Sequence, residues 1–306
     1  MEILGTIFFY IGFIDQGWGF WETLWKSLFH SISAFCTAGF SLFGNGFESY
    51  VGDGWMNFTI SILAISGSLG FIVFTDLWLM LTKKSHKIVL TTKIIFFGFL
   101  ILLSYGTLSL YFGEPSIVAL EGATRFYASF FQTMSAMMTS VGFNTMPIDG
   151  LSLPILFTII FLMYVGASPS GTSGGLKITT LTAVIAYLRS KLKASDDILF
   201  WGRRIHQKQV SIALSTFIFY IIIVFIGLLA LTYSEEMALS DLMFETLSAL
   251  GTVGLSTGIA RDLSVLGKIR IIALLFIGRL GVLTFGLSIS SAYDDNREVL
   301  EEDIAI

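Results

Sequence analysis

Three short segments of this chain carry the residue types from which a cation site could be built without charged side chains. They read SISAFCTAGFSLFG from Ser31, TMSAMMTSVGFNTMP from Thr133 and TLSALGTVGLSTGI from Thr246. In each, a Ser-Ala pair precedes a hydroxyl residue, a small residue, a glycine and a large apolar residue: Thr37-Ala38-Gly39-Phe40, Ser140-Val141-Gly142-Phe143 and Thr252-Val253-Gly254-Leu255. Glycine reaches backbone conformations closed to other residues, so successive carbonyls can turn toward one axis and replace the hydration shell of a cation. The alternative for these glycines is close helix packing, but they follow a short apolar stretch instead of recurring at helical spacing. The second copy holds one additional residue between its Ser-Ala pair and its glycine, which either bulges the helix end or changes the depth of the loop.

Two further features bear on the same chemistry. Residues 166–175, GASPSGTSGG, place four glycines and a proline in ten positions, so a helix descending through them must break. Gly166, Ser168, Pro169, Gly171, Gly174 and Gly175 are candidates for a movable obstruction; a static kink is the plainer alternative. Arg279 lies in the apolar run Ile271 to Ile289 between Gly278 and Gly281, where a lipid-facing guanidinium would cost several kcal/mol. It is expected to face the bundle interior, with its donors on the carbonyls of residues 166–175; snorkelling or packing is the alternative. Lys177 either does the same or reaches the interface. No nucleotide fingerprint, zinc spacing or nucleophile elbow is present, and the single cysteine, Cys36, cannot form an intrachain disulfide. Neither an enzyme nor a nucleic-acid binder is indicated, and no covalently bound cofactor is expected.

The elements that must position these residues are membrane elements. Of the 306 residues 54% are hydrophobic and 13% charged, against roughly 25% charged in soluble domains. Apolar tracts at 56–81, 88–112, 153–188, 210–231 and 269–289 supply the ~20 residues a helix needs to cross ~30 Å of hydrocarbon. Lys83, Lys84, Lys87 and Lys93 cluster in one connection and Arg189, Lys191, Lys193, Arg203, Arg204 and Lys208 in another, which places both inside; the connections bearing Glu48, Glu114, Asp149 and Glu235 lie outside. With that orientation the apolar stretches at 24–35, 126–138 and 242–250 must begin and end on the outer side. Each is a half-length helix followed by non-helical backbone, which is tolerated at membrane depth only where protein buries it or a cavity solvates it. Recurrence at roughly a hundred residues marks one helix/pore-loop/helix unit.

These segments resemble the pore loops of the Trk/Ktr/HKT superfamily of potassium transporters, in its bacterial KtrB/TrkH membrane-subunit branch. Further family-like stretches are Gly67-Ser68-Leu69-Gly70-Phe71, Gly166 through Gly175, and Gly278-Arg279-Leu280-Gly281. The resemblance implies an all-α polytopic protein of the bacterial plasma membrane, its units arranged pseudo-symmetrically around a central pore. The chain matches the second, third and fourth pore loops of the family and none matches the first. The expected organisation is a partial second repeat at 1–81 (clipped outer helix, pore loop 22–41, inner helix 56–81) and a third repeat at 82–190 (outer helix 88–112, pore loop 121–144, broken inner helix 152–188). A fourth repeat at 191–306 has outer helix 208–231, pore loop 240–256 and inner helix 265–290, with an acidic cytoplasmic tail. About one hundred N-terminal residues are expected to be missing, or else another chain completes the ring.

The implied function is K+ translocation through backbone carbonyls of a selectivity filter made by Thr37 to Phe40, Ser140 to Phe143 and Thr252 to Leu255. The gate would be the 166–175 loop with Lys177 and Arg279. Sodium permeation or coupling, and a non-conducting assembly role, stay open as alternatives. The implied partners are a second membrane subunit and a cytoplasmic ring of nucleotide-binding regulatory subunits.

Overall fold

Apolar side chains at nearly every position of a long run leave a helix no polar face, and such a helix is stable only inside a protein core or in lipid. In a computed structural model, which describes residues 1–83, 88–138, 142–166, 168–195, 197–282 and 284, eleven helices are seen among the described residues. They are α1 (Glu2–Phe13), α2 (Phe20–Phe35), α3 (Gly54–Leu81), α4 (Leu90–Gly113), α5 (Pro115–Val118), α6 (Gly122–Met137), α7 (Leu153–Tyr164), α8 (Ile178–Leu192), α9 (Gln207–Thr232), α10 (Leu239–Leu250) and α11 (Val265–Leu280). The 28, 24 and 26 residues of α3, α4 and α9 rise far enough to cross a bilayer. The 16, 16 and 12 residues of α2, α6 and α10 do not.

Burial separates the roles. The most apolar window of α3 is 56% buried, whereas that of α9 is 17% buried, with Ile218, Ile222, Phe225 and Ile226 exposed. Exposed isoleucine and phenylalanine suit hydrocarbon, so α9 is a lipid-side helix and α3 an inner one. The same order occurs three times: α1, α2, α3; α4, α6, α7; and α9, α10, α11, with each half-length helix packed against the other two helices of its unit. Each inner helix also leans on the next half-length helix, α3 on α6 and α7 on α10. The chain is an all-α polytopic membrane protein, its sheet limited to two two-residue pairs among the described residues. In one, β1 (Val165–Gly166) pairs in parallel with β2 (Leu176–Lys177). In the other, β3 (Leu199–Phe200) pairs antiparallel with β4 (Arg203–Arg204) across Trp201 and Gly202, both at positive φ, as a tight hairpin turn requires.

The expected break at 152–188 falls between Tyr164 and Ile178. The run at 56–81, expected as one regular inner helix, is not regular. Gly70 has φ 71° and ψ 175°, because the backbone of Ser170 and Gly171 occupies the space a side chain there would need. At the corresponding point of the last inner helix α11 stops at Leu280, with Gly281 at φ 87°. Residues 285–306 lie outside the described residues, including the rest of the expected helix 265–290 and the acidic tail; so do Lys84 and Lys87 of the first basic cluster.

The outer ends of two units are clamped alike. Glu114, after α4, accepts hydrogen bonds from the N–H (3.0 Å) and hydroxyl (2.9 Å) of Ser152, the residue that begins α7. Glu235, after α9, accepts from the N–H (3.0 Å) and hydroxyl (2.6 Å) of Ser264, whose hydroxyl in turn accepts from Gly267 N–H at the start of α11. These donors, the Ser264 N–H first, hold the Glu235 carboxyl below its ordinary value. A depressed carboxyl stabilises the fold above the ordinary glutamate range and loses that contribution as pH falls through the folded value. The thermal midpoint of Glu235→Gln is therefore expected to lie below that of the parent near neutral pH, with the gap closing below about pH 4. An unchanged gap across that range in a detergent melting series would contradict the clamp.

Candidate functional site

A helix that stops inside a membrane leaves carbonyls without partners, and the three half-length helices meet that problem in a repeated way. The first and last end in the same reciprocal motif. Thr37 N–H bonds Ala34 O (3.2 Å) and Ala38 N–H bonds Ser33 O (2.8 Å); Thr252 N–H bonds Ala249 O (2.9 Å) and Val253 N–H bonds Ser248 O (2.7 Å). This C-terminal motif needs a left-handed residue, usually glycine, yet here the residue is threonine at φ 50° and φ 53°. A β-branched residue in that region costs of order 1–3 kcal/mol, and such strain persists only where the surroundings impose it.

The serine of every Ser-Ala pair then holds the loop that follows. Ser33 Oγ donates to Phe40 O (2.8 Å), Ser135 Oγ to Phe143 O (2.6 Å) and Ser248 Oγ to Leu255 O (2.6 Å). The additional residue of the second copy thus lies between two fixed points, Ser135 and Phe143, and leaves the brace intact. Thr139, Ser140 and Val141, where it falls, are outside the described residues.

The glycines meet. A Cβ built on Gly142 (φ 58°) would lie 3.1 Å from the Cα of Gly39 and 3.6 Å from that of Gly254, and one on Gly254 (φ 85°) would lie 3.1 Å from the Cα of Gly142. Thr37, Val253, Phe143 and Leu255 are buried around them, while Phe40 is 70% exposed, so the first loop has an open flank that the others lack. On the side of the acidic connections Gly142 and Gly254 open into a cavity of about 520 Å³ lined in part by Glu48, Asn144, Asp149 and Arg261.

On the other side the 166–175 loop fills the space beneath. Thr37 Oγ1 and Thr172 Oγ1 share a hydrogen bond (2.8 Å), Thr172 N–H donates to Gly67 O (3.2 Å), and Ile72 N–H to Ser170 Oγ (3.3 Å). Gly174 packs against Thr252 Oγ1 and Gly251 O, closely enough that a Cβ there would lie 2.3 Å from the hydroxyl. Gly171 sits on Ser68 O, and Ser168 is fully buried. Both cations singled out in the sequence act on this loop. Lys177 Nζ donates to Ser173 O and to Gly174 O (2.9 Å) of the loop. Arg279 Nη1 donates to Thr172 O (3.0 Å) while its residue stays exposed. Pro169 is exposed, Gly166 pairs within β1, Gly175 takes φ 68°, and Ala167 lies outside the described residues. Below the loop is a second cavity of about 370 Å³, lined in part by Thr172, Lys177, Tyr220, Gly278 and Arg279. Among the described residues no cluster of three His, Cys, Asp or Glu could hold a metal ion.

Glycines behind the loops make the close approach possible. A Cβ on Gly67 would lie 1.9 Å from Phe35 O and one on Gly278 2.0 Å from Leu250 O, each the carbonyl of the last residue of a half-length helix. Sequence reasoning noted both glycines as family-like but gave them no role; the signal was their shared Gly-x-x-Gly spacing. It also passed over Thr172, and over the serines as braces, although the Ser-Ala pairs themselves recur.

A model of the cation transport protein family TrkH matches residues 1–297. The chain belongs to the TrkH cation transport family. The family is one of membrane ion transporters, not of enzymes, and with the long apolar helices it makes the chain a multi-pass plasma-membrane protein. Among similar proteins, the Ktr system potassium uptake protein B of Bacillus subtilis is 35% identical over 305 residues, covering 97% of this chain and 66% of the relative. The potassium/sodium uptake protein NtpJ of Enterococcus hirae is 30% identical over 317 residues, covering 100% of this chain and 69% of the relative. The crystal structure of the potassium transporter TrkH from Vibrio parahaemolyticus superposes with a TM-score of 0.77 at 19% identity, over 94% of this chain and 62% of that one, which shows the shared fold. The chain spans about two thirds of the length of the relatives it matches.

Adding one carbon at either supporting glycine forces a half-length helix off its inner helix. Gly67→Ala and Gly278→Ala are each expected to cost about 1–3 kcal/mol, read as a lowered melting midpoint of the purified protein. Gly44→Ala, with nothing within 4 Å of the added carbon, should stay within about 0.5 kcal/mol of the parent. Equal midpoints for all three would refute the packing role.

Proposed function

We propose that this chain carries K+ across the membrane through the ring of glycine loops, with the 166–175 loop as the gate. The observation that carries the reading is the meeting of Gly39, Gly142 and Gly254 at the ends of three half-length helices, between a cavity on the acidic side and another below the loop. Peptide oxygens on a shared axis, backed by the negative ends of three helix dipoles, suit a monovalent cation stripped of water. The carbonyls of Phe40, Phe143 and Leu255 are engaged by serine hydroxyls, so the coordinating oxygens are proposed to come from the glycines and the residues before them. The names of the similar proteins from B. subtilis and E. hirae, a potassium and a potassium/sodium uptake protein, support cation uptake as the activity. The second of these names also keeps Na+ as an alternative cargo.

The gate reading rests on the contacts of the loop with both threonines of the glycine loops and on the two cations that hold its carbonyls. Moving the loop requires that these contacts break. The words "Ktr system" in the name of the B. subtilis relative support a role as the membrane subunit of an assembly; a second membrane subunit and a cytoplasmic nucleotide-binding ring are the proposed partners.

Uptake by cells lacking their own K+ transport tests both readings. Gly142→Ala and Gly254→Ala insert a methyl at a positive-φ position facing another loop and are expected to reduce uptake at least about tenfold. Arg279→Gln, which weakens the hold on Thr172 O, is expected to raise resting flux severalfold. Unchanged uptake in the glycine variants removes the filter; unchanged resting flux in the arginine variant removes the latch.

A further inference from the structure

Three residues before each bracing serine, the half-length helices carry three chemically different side chains: His30 on α2, Gln132 on α6 and Glu245 on α10. All three are buried, with relative exposures of 0%, 2% and 5%. Each reaches across to the arm of its own loop that leaves the glycine. His30 Nε2 accepts from Leu42 N–H (3.2 Å) and lies 3.3 Å from Ser41 Oγ. Glu245 Oε1 accepts from Thr257 N–H (3.1 Å) and from the Ser256 hydroxyl. Ser41 and Leu42 stand to His30 as Ser256 and Thr257 stand to Glu245, eleven and twelve residues on. Gln132 Nε2 donates to Met146 O (2.8 Å) in the loop that carries the additional residue.

We infer that His30, Gln132 and Glu245 form a second tier of loop-positioning contacts, outside the serine tier, that sets how closely the glycine loops approach one cation and so contributes to ion discrimination. The inference rests on the filter reading above. The serines fix the residue after each glycine; the second tier fixes the chain one to three residues further on, so each returning arm is pinned at two heights. A loop pinned twice cannot contract around a smaller ion without breaking a buried hydrogen bond, which leaves an unsatisfied group.

His30 shows how specific the requirement is. Its Nδ1 lies 2.8 Å from Lys26 O, which can only accept, so Nδ1 carries the proton and Nε2 is left as the acceptor for Leu42 N–H. The ring is stacked on Phe43 (4.8 Å, 15°) and edge-on to Phe47 (5.1 Å, 77°), which fixes its plane. What His30 supplies is a buried acceptor at that reach, not a charge; the other units bridge the same gap with an amide that donates and a carboxyl that accepts.

The test compares His30→Leu, which fills the space without an acceptor, with His30→Gln, which offers an amide oxygen. Both are made in the full-length protein beside Gly254→Ala and Ser256→Ala, the last removing the hydroxyl contact with Glu245 and the one accepted from Gly258 N–H. K+ and Na+ binding to the purified, monodisperse protein is read by calorimetry, and K+ uptake in competition with Na+ in cells. His30→Leu is expected to lower the K+ over Na+ preference about tenfold, His30→Gln to keep it within about twofold, and Ser256→Ala to shift it in the same direction by a smaller factor. If His30→Leu keeps the preference while Gly254→Ala loses it, or if His30→Gln falls with His30→Leu, the second tier is overturned and the filter reading stands. If Gly254→Ala changes nothing, the filter reading itself fails. If His30→Leu does not purify as a folded protein, an unshifted preference in Ser256→Ala overturns the inference.

Discussion

Peptide groups that leave a helix inside a low-dielectric slab must find partners in the protein, and most of the architecture follows from meeting that condition three times. Each of α2, α6 and α10 stops half-way and hands its chain to an irregular loop. The hydroxyl of a serine in the last turn takes the nearest loop carbonyl, and left-handed Thr37 and Thr252 turn the chain so that their own and the next N–H can bond backward. Gly67 and Gly278 on the inner helices remove the side chains that would otherwise separate those helices from the last carbonyls. The glycine-rich segment between α7 and α8 closes the underside, its peptide groups taken up by Gly67, Lys177 and Arg279 and its Thr172 hydroxyl by Thr37. No single contact here is strong. Each is required because water is absent as the alternative partner.

The parts of this arrangement legible in the sequence are those that reuse the same residue types. Hydroxyl-x-Gly-apolar after a short apolar stretch, and four glycines with a proline inside a crossing segment, each state a backbone requirement that few other residues could meet. The break at Gly70 was less visible. It lies within an unbroken apolar run whose composition reads as one helix, and its cause is the backbone of Ser170 and Gly171, a hundred residues away. Thr172 was hidden for the same reason, since a hydroxyl in a flexible loop acquires meaning only from the Thr37 hydroxyl opposite it. His30, Gln132 and Glu245 occupy equivalent places yet share neither charge nor shape. A repeat sought by residue type passes over them, and a repeat of hydrogen-bond offsets finds them.

The threonines at the turns carry a local cost that glycine would not. Thr37 spends its hydroxyl on Cys36 O and Thr172 Oγ1, and the Thr252 hydroxyl lies against Gly174. The strained position is therefore where the glycine loops and the loop beneath them touch. With glycine there, the same turn would form without strain and without a hydroxyl, and the two layers would meet through apolar or empty space.

The contacts that hold the 166–175 loop are of a size suited to a movable element. Its hydrogen bonds to the rest of the protein include those with Thr37, Ile72, Gly67, Lys177 and Arg279, and Gly174 packs against Thr252. Each contributes about 0.5–1.5 kcal/mol net, so no one of them decides the hold. Moving a two-state equilibrium from 1:99 to 99:1 takes about 5.5 kcal/mol. A loop held by a buried apolar core would lie far beyond the reach of a binding partner, and one held by water-exposed contacts would not stay closed. Small residues in the loop keep its apolar contribution low, while the hydroxyls, carbonyls and two cations supply an attachment that can be released in discrete steps.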